Sequence, residues 1–524
     1  MMPLPTHDQE WPPPHMRAEM RLYQQHGAWY AGDPDRLAQV YGNGAVTPGL
    51  GLDLKGWDRP LQWAGGAVGR VARWFWGSPI PAGQSRSTKL HVPLAADIAA
   101  KSADLLFSEP PTLRAAGKKT QKRLDQILNE GSVYAGLLEA GELDSAYGGV
   151  YLRVGWDTEM ADYPVVDSVP ADSAVPEFHS GRLAAVTFWR VVGEDQKVVW
   201  RHLERHERGR VYHGLYQGDD SRLGHPVPLE DHPATAGFAA IVDADGGFDS
   251  GYPKGLLVHY VPNMRPHRTL RGTALGRSDY AGVEPLMDAL DETWTSWMRD
   301  LRLGKARIIV PEVYLQNTGR GRGSFWDPDR EIYSGLGMLP PANGGGNMIT
   351  VSQFDIRVQE HQQTAKSLVA QILRGAGYSV QSFGEAGEGV EATATEIHSR
   401  ERQSLTTRGR KIGYWTPALA WLGDCLLSVD HYIFKTKVTA ERPQIEWPDG
   451  VFLETESVAR TVELLNRAQA ASIDTRIRLV HPDWDDDQVT AEMKRLRDEM
   501  GLNVRDADTF DEQIIPDQDD DLDG

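Results

Sequence analysis

Two stretches of helical apolar periodicity flank a strand-and-loop excursion, and an acidic, glycine-rich loop follows the second. Two amphipathic helices alone fit any helical hairpin; the order and the loop narrow the choice. Val283, Leu286, Met287, Leu290, Trp294, Trp297, Met298 and Leu301 recur at steps of three and four, so a helix here carries one continuous apolar stripe. Its first half holds Glu284, Asp288, Asp291 and Glu292 and its end Arg299, Arg302 and Lys305, which complements the helix dipole. A second helix is expected over about 356–374, with Ala365, Leu368, Val369, Ile372 and Leu373 on one side. Between them lie RIIVPEVYL, a strand by composition, and a Gly/Pro-rich excursion over 316–347. Residues 375–412 read GAGYSVQSFGEAGEGVEATATEIHSRERQSLTTRGRKI, where a flexible loop carries Glu385, Glu388 and Glu391. A capping box from Thr393 to Glu396 opens the next helix, which is crowded by Arg400, Arg402, Arg408 and Arg410. That helix is expected to reach about residue 427 with a kink, because it contains Gly409, Gly413 and Pro417.

At 524 residues the chain exceeds one ordinary core, so several domains or an elongated subunit are expected. Its 40% hydrophobic and 25% charged content is that of a soluble globular protein. The single cysteine, Cys425, excludes an intramolecular disulfide and any multi-cysteine zinc site. The net charge of −19 argues against a tight sequence-specific DNA binder, which presents basic faces. It is compatible with a conduit through which DNA slides, and equally with simple solubility. Sixteen tryptophans are more readily core and interface filling than stacking platforms.

Residues 1–30 read as a proline-rich, partly disordered lead-in without the apolar run of a signal peptide. The longest apolar run, 418–429, is short and interrupted by Asp424, so no membrane span is expected. A helix fits Leu94–Phe107, stopped by Pro110 and Pro111, and another fits 120–140 around Leu124, Ile127, Leu128, Leu137 and Leu138. From 149 to 216 the texture is that of strands, VYLRVGW, AAVTFWRVV, KVVWRHLERHE and RVYHGLY, with a hairpin turn at Arg208 and Gly209. The chain closes with an acidic tail ending DQDDDLDG.

Catalytic signatures are missing. The sequence has no GxxxxGK[ST] phosphate loop, no HExxH and no GxSxG. His202, His206 and His213 fall in the expected hairpin and are better explained as ordinary histidines than as a metal site. Asp483, Asp485, Asp486 and Asp487 lack the glycine and terminal glutamate of a calcium loop. GRGRGS, 319–324, fits a phosphate or acidic-surface clamp as well as a solvated loop. Neither a metal nor a cofactor is expected. Two function classes compete: a structural ring, and a glycan-processing hydrolase using paired carboxylates and tryptophan platforms. The clearest carboxylate group sits on an interhelical loop rather than around a cleft, which favours the ring.

The order from 270 to 415, with HVPLAADIAAKSADLLFSEPPTL upstream and QIEWPDGVFLETESVARTVELLNRAQAASIDTRIRLVHPDW downstream, resembles tailed-bacteriophage portal proteins of the siphophage-type branch. The resemblance spans roughly 85–500. It implies an α+β portal fold in parts: a flexible segment 1–30, a mixed wing over 31–270, stem helix 1 over 271–303, and a small α/β clip over 304–352. Stem helix 2 over 353–376, a tunnel loop over 377–392, a kinked helix with wing strands over 393–453, a helical crown over 454–500 and a disordered tail over 501–524 complete it. The stem would pack through Leu286, Leu290, Trp294, Trp297 and Leu301. The tunnel loop would face DNA with Tyr378, Gln381, Ser382, Glu385, Glu388 and Glu391, by sterics and weak polar contacts that read no bases. Arg320, Arg322 and Trp326 are the clip contacts for partners. Portal subunits form a homo-oligomeric ring, usually of twelve, at one capsid vertex of the virion. The ring is the head–tail connector through which double-stranded DNA is packaged and ejected. Its implied partners are the terminase large subunit, a head–tail adaptor and the major capsid and scaffolding proteins; assembly takes place in the host cytoplasm, with no membrane.

Overall fold

The structure, a computed structural model, describes residues 4–41, 90–195, 197–303, 307–309, 316–317, 324–325, 350–352, 357–384, 394–448, 455–481, 484 and 486–499. The chain divides into two compact units, 1–390 with 399–448, and 391–398 with 449–524. Its class is mixed α+β.

The first unit opens with α1 (Arg17–Ala31) and α2 (Pro34–Tyr41). The expectation of a flexible lead-in over 1–30 is therefore corrected for residues 4–30. Pro14 starts a 3-10 turn that runs into α1, an example of proline initiating helical structure where its missing N–H costs nothing. Trp11, Met16, Met20 and Tyr23 are buried against sheet residues Val186, Phe188, Leu203 and Tyr216. Proline clusters mark helix starts as well as disorder, and here the apolar residues between them decide.

The helix α3 (Leu94–Phe107) has the expected bounds, and its alanine-rich face lies on the helix Val133–Tyr147. The single helix expected over 120–140 is two, α4 (Lys118–Glu130) and α5 (Val133–Tyr147). Ser132 between them takes a left-handed conformation, φ 52, which ends one ladder and starts the next. The strand β1 (Thr112–Arg114) pairs with β15 (Gln444–Glu446), tying the start of this unit to its end.

Two antiparallel sheets follow. The smaller orders β10 (Val258–Pro262), β2 (Gly149–Gly155) and β3 (Val165–Pro170). The larger runs β4 (Ala174–His179), β5 (Arg182–Asp195), β6 (Val198–Glu207), β7 (Arg210–Gly218) and β8 (His225–Val227), with β9 (Gly247–Asp249) also on β7. The hairpin at Arg208 and Gly209 joins β6 to β7 as expected. The short helix α6 (Pro233–Ala239) lies between β8 and β9 in sequence.

The long elements come next: α7 (Glu284–Leu303), then β11 (Arg307–Ile309), β12 (Gln316–Asn317), β13 (Ser324–Phe325) and β14 (Thr350–Ser352), then α8 (Val358–Ala376). β11 pairs with β14 and β12 with β13, both antiparallel. The 40-residue α9 (Ala394–Ile433) continues through Pro417. From Trp415 to Val429 it is buried on most sides, with Leu419, Leu422, Cys425 and Leu426 inside the largest core cluster.

The second unit holds α10 (Thr455–Arg467), α11 (Ile473–Val480) and α12 (Asp486–Glu499). Ser472 caps α11 by accepting from the Thr475 N–H. Among the described residues of this unit Ile477 and Val489 are buried, while Leu464, Leu479 and Val480 are exposed. No described helix is long and apolar enough to cross a membrane.

Candidate functional site

The pair α7–α8 and the turn that leaves α8 form the region where sequence and structure concentrate. Val283 just before α7, and Met287 and Leu290 on it, are buried with Ala365, Ile372, Leu373 and Ala376 of α8, and Leu286 and Trp294 pack partly buried against them. The helices approach closely because residue 375 is glycine: a Cβ there would lie 2.5 Å from Val283 Cγ1. Further along, Trp297 stacks on Trp294, centroids 5.1 Å apart, and on His361 of α8 at 6.0 Å. His361 also bonds Asp300 at 3.0 Å. Leu301, 40% exposed, has left the core. The apolar residues of α7 thus divide along the helix, with Met287 and Leu290 hidden within the chain and Leu286 partly so.

The acidic residues of α7 do more than face its dipole. Glu284, Asp288 and Asp291 are buried, one per turn on one face. His26 on α1 lies 3.6 Å from Glu284, and His91 Nδ1 lies 2.7 Å from Asp291. The Val92 N–H donates to the same carboxylate at 2.8 Å. Burial raises the Asp291 pKa, and these partners offset part of the cost.

At its other end α8 closes with a Schellman motif. Gly377 sits at φ +96 and donates to Arg374 O, while the Tyr378 N–H donates to Leu373 O. The turn is then fastened to α9. Thr407 Oγ1 donates to Gly377 O, Ser404 Oγ accepts from the Ser379 N–H at 2.9 Å, and Ser382 Oγ donates to Ser404 Oγ at 2.8 Å. Ser404, Thr407 and Lys411 recur at helical steps on the face that continues into Trp415.

Tyr378 itself turns inward. It is 1% exposed and its hydroxyl donates to Asp279 Oδ2 at 2.7 Å. This corrects its assignment as a DNA-facing loop residue: it anchors the segment. Asp279 also accepts from Lys411 Nζ, Ser145 Oγ and Asn263 Nδ2, and Lys411 donates to Ser102 Oγ as well. Lys411 and Asp279 are both out of solvent, at 2% and 1% side-chain exposure. Burial pushes the Asp279 carboxyl up, but the charge of Lys411 and the bonds from Lys411, Ser145 and Tyr378 outweigh it and hold the pKa below the ordinary range. Asp144 lies in the same cluster, accepting from Trp415 Nε1 at 3.1 Å. Burial drives its pKa well up, with Asp279 adding to the rise and Lys411 opposing it. Helix α3, helix α5, the segment before α7, the turn after α8 and α9 therefore meet on one buried ion pair. Sequence reasoning missed it; a polar residue, Lys411, in register with the apolar face of α9 was the available signal.

Gln381 and Ser382 lie half-buried in a 3-10 turn, Val380–Phe383. Glu385, Glu388 and Glu391 of the expected tunnel loop, and Arg320, Arg322 and Trp326 expected as clip contacts, lie outside the described residues.

His202 and His213 are buried in the six-stranded sheet, His202 Nε2 3.0 Å from His213 Nδ1, and Phe238 stacks on both. Burial, with the neighbouring imidazole, lowers the His202 pKa to about 3; burial also lowers that of His213 to about 4. His206 bonds Glu204 at 2.7 Å instead. Among the described residues no group of three or more His, Cys, Asp or Glu side chains is placed to hold a metal.

Comparison with known proteins gives the family. No curated protein matches the chain. Among solved structures, a chain of the neck of a native gene transfer agent particle, computed with C12 symmetry, is 13% identical at TM-score 0.38, covering 74% of this chain and 90% of its own. A chain of the native gene transfer agent virion is 11% identical at TM-score 0.37, covering 81% and 96%. One from the neck of the empty particle, computed with C6 symmetry, is 12% identical at 0.40 with the same coverage. Nothing found supports a glycan-processing hydrolase. Residues 84–501 match the family described as phage portal protein, SPP1 Gp6-like, and the chain belongs to that family as a structural portal subunit of a phage-type virion.

Proposed function

We propose that this chain assembles into a closed homo-oligomeric ring, near twelve copies, at one capsid vertex, and that the ring is the channel for double-stranded DNA. The observation that carries the reading is the helix pair α7–α8, with β11 paired to β14 between them in sequence and the tethered turn at Tyr378 after them. That order supports α7 and α8 as stem, 304–352 as clip and 377–392 as tunnel loop, with the sheets as wing and α10–α12 as crown. Gln381, Ser382, Glu385, Glu388 and Glu391 would border the DNA path, where carboxylates discourage adhesion to phosphate. Arg320, Arg322 and Trp326 would meet the terminase large subunit and the tail adaptor, and the capsid and scaffolding proteins would surround the wing. The half-exposed end of α7 fits this reading, because Trp294, Trp297 and Leu301 leave apolar surface that a neighbouring copy can cover. Native mass measurement on the intact protein tests it: a closed oligomer near twelve subunits is expected. A monomer that persists across micromolar concentrations overturns the ring.

A further inference from the structure

The stretch that starts ahead of β10 and runs to just before α7 has an unusual charge balance for this chain. Residues 250–278 contain no Asp or Glu, whereas the overall frequency of 74 in 524 would place about four there. The same stretch carries Arg265, Arg268, Arg271 and Arg277. In a protein of net charge −19 this is a local reversal of sign.

The arginines are held on a closed, well-supported loop. The Arg277 N–H donates to Met264 O at 3.0 Å, and Asn263 Nδ2 donates to Arg277 O at 3.0 Å, so the ends of the loop are joined. Met264 and Leu275 are buried beneath it. Within the loop the Leu270 N–H donates to His267 Nδ1 and the Leu275 N–H to Thr273 Oγ1. Asn263 also donates to Asp279, so the loop stands on the same buried ion pair that anchors Tyr378. Arg268 and Arg271 are exposed, while Arg265 and Arg277 are half-buried. Among the described residues none of the four makes an ion pair with a carboxylate, and Arg265 Nε is buried without a partner. Burial lowers the Arg277 pKa and the like charge of Arg268 lowers it further; the buried Asp279 opposes the fall and Arg410 adds to it. The fold thus brings Arg277 within the field of Arg268 and Arg410 and carries Arg265 and Arg271 on the same closed loop, with no carboxylate ion-paired to the loop among the described residues, an arrangement completed by an external polyanion.

We propose that Arg265, Arg268, Arg271 and Arg277 form a phosphate-binding surface that meets the backbone of double-stranded DNA without reading bases. The inference rests on the portal reading. Guanidinium forks match phosphate oxygens in pairs, and backbone contacts position a duplex without sequence information. A carboxylate surface on a second copy is the competing occupant. It is less favoured because the cores of lasting interfaces are depleted of charge and pack apolar groups. The loop tip instead offers Arg268, Thr269, Arg271 and Gly272, all exposed, a surface suited to a ligand that moves past.

The test uses the full chain and a blunt linear duplex of random sequence, with retention measured against sodium chloride concentration. Arg268→Gln with Arg271→Gln should retain less DNA, the log–log salt slope falling by about 0.9 for each phosphate no longer neutralised. Arg268→Lys with Arg271→Lys keeps the charge and should keep most of the slope. Native mass is read in parallel and should match wild type for both variants. An unchanged slope in the glutamine variant overturns the proposal, and so does loss of assembly, which would assign the loop to a contact between copies. If the wild-type chain is itself monomeric, the ring reading falls separately, and the salt slope still judges the loop.

Discussion

The cluster around Lys411 and the cluster around His202 are both sealed from water, yet they treat ionisable groups in opposite ways. Asp279 keeps its charge because it has a charged partner, Lys411, and further hydrogen bonds: it accepts from three other side chains, and Lys411 also donates to Ser102. His202 and His213 have one another, and two aromatic faces, so burial removes their protons instead. The difference lies in the number of compensating partners. Low-dielectric surroundings preserve a charge only when its field is met at close range, and otherwise select the neutral form. The charged cluster joins five segments of the chain, so its loss is felt across the fold. The neutral one lies between one sheet and the short helix α6 and matters when the pH changes.

The largest effect should come from breaking the ion pair on one side. Asp279→Asn leaves the Lys411 ammonium buried without its counter-ion, a change that costs about 3–5 kcal/mol in such settings. Thermal unfolding of the intact protein should show a large drop in midpoint. Adding Lys411→Met should recover much of it, since removing both charges leaves no uncompensated ion. If the single and double variants are equally unstable, the pair acts through shape and the comparison with the histidines loses its basis.

Acid should act on the other cluster. The folded pKa values of His202 and His213, about 3 and about 4, lie below the ordinary 6.5. As pH falls below 6.5 the unfolded chain takes up protons that the native imidazoles refuse, so stability falls, and it levels off only below the folded values. Each imidazole contributes a slope of about 1.4 kcal/mol per pH unit within that window. Glu204 adds to the loss at its lower end. Burial raises its pKa, but the bond and charge of His206 and the charge of Arg153 outweigh this and hold it well below the ordinary range. Unfolding followed by tryptophan fluorescence between pH 7 and pH 4 should show the decline, and His202→Asn with His213→Asn should flatten it. An equally steep decline in that variant would move the acid response elsewhere.

The two clusters also differ in how far they could be read in advance. Local signals worked where the chain answers locally. The bounds of α3, the hairpin before Gly209 and the apolar stripe of α7 follow from periodicity and turn chemistry. The break at Ser132 did not, because a serine in the left-handed region has no strong sequence mark. The ion pair was hidden for a different reason. Lys411 follows Arg410 in a basic helix and looks solvated; its burial depends on Ser102 and Asp279, 309 and 132 residues away in sequence. Tyr378 was assigned to the loop it introduces, although its side chain ends the helix core. Glu284 and Asp291 look like ordinary dipole partners until His26 and His91 arrive from the N-terminal segment. Long-range partners decide burial of polar groups, and periodicity carries no record of them.

The smallest effect is the most discriminating, because it concerns a second carboxylate in the charged cluster that follows the rule of the neutral one. Asp144 has no direct bond to Lys411: Oδ2 accepts from Trp415 Nε1 and Oδ1 is buried without a partner. Its raised pKa means that the native state holds a proton over a range where the unfolded chain has released it. Stability from this group is therefore present at low pH and lost as pH rises through the folded pKa. Asparagine keeps an acceptor for Trp415 and carries no charge to desolvate. Asp144→Asn should change stability by no more than about 1 kcal/mol near neutrality, and its balance against wild type should improve as pH rises. Unfolding midpoints for both proteins at pH 5 and pH 8 give the comparison. If Asp144→Asn proves as damaging as Asp279→Asn, Asp144 is ionised and shares the counter-charge of Lys411, and partner number no longer explains which buried groups keep their charge.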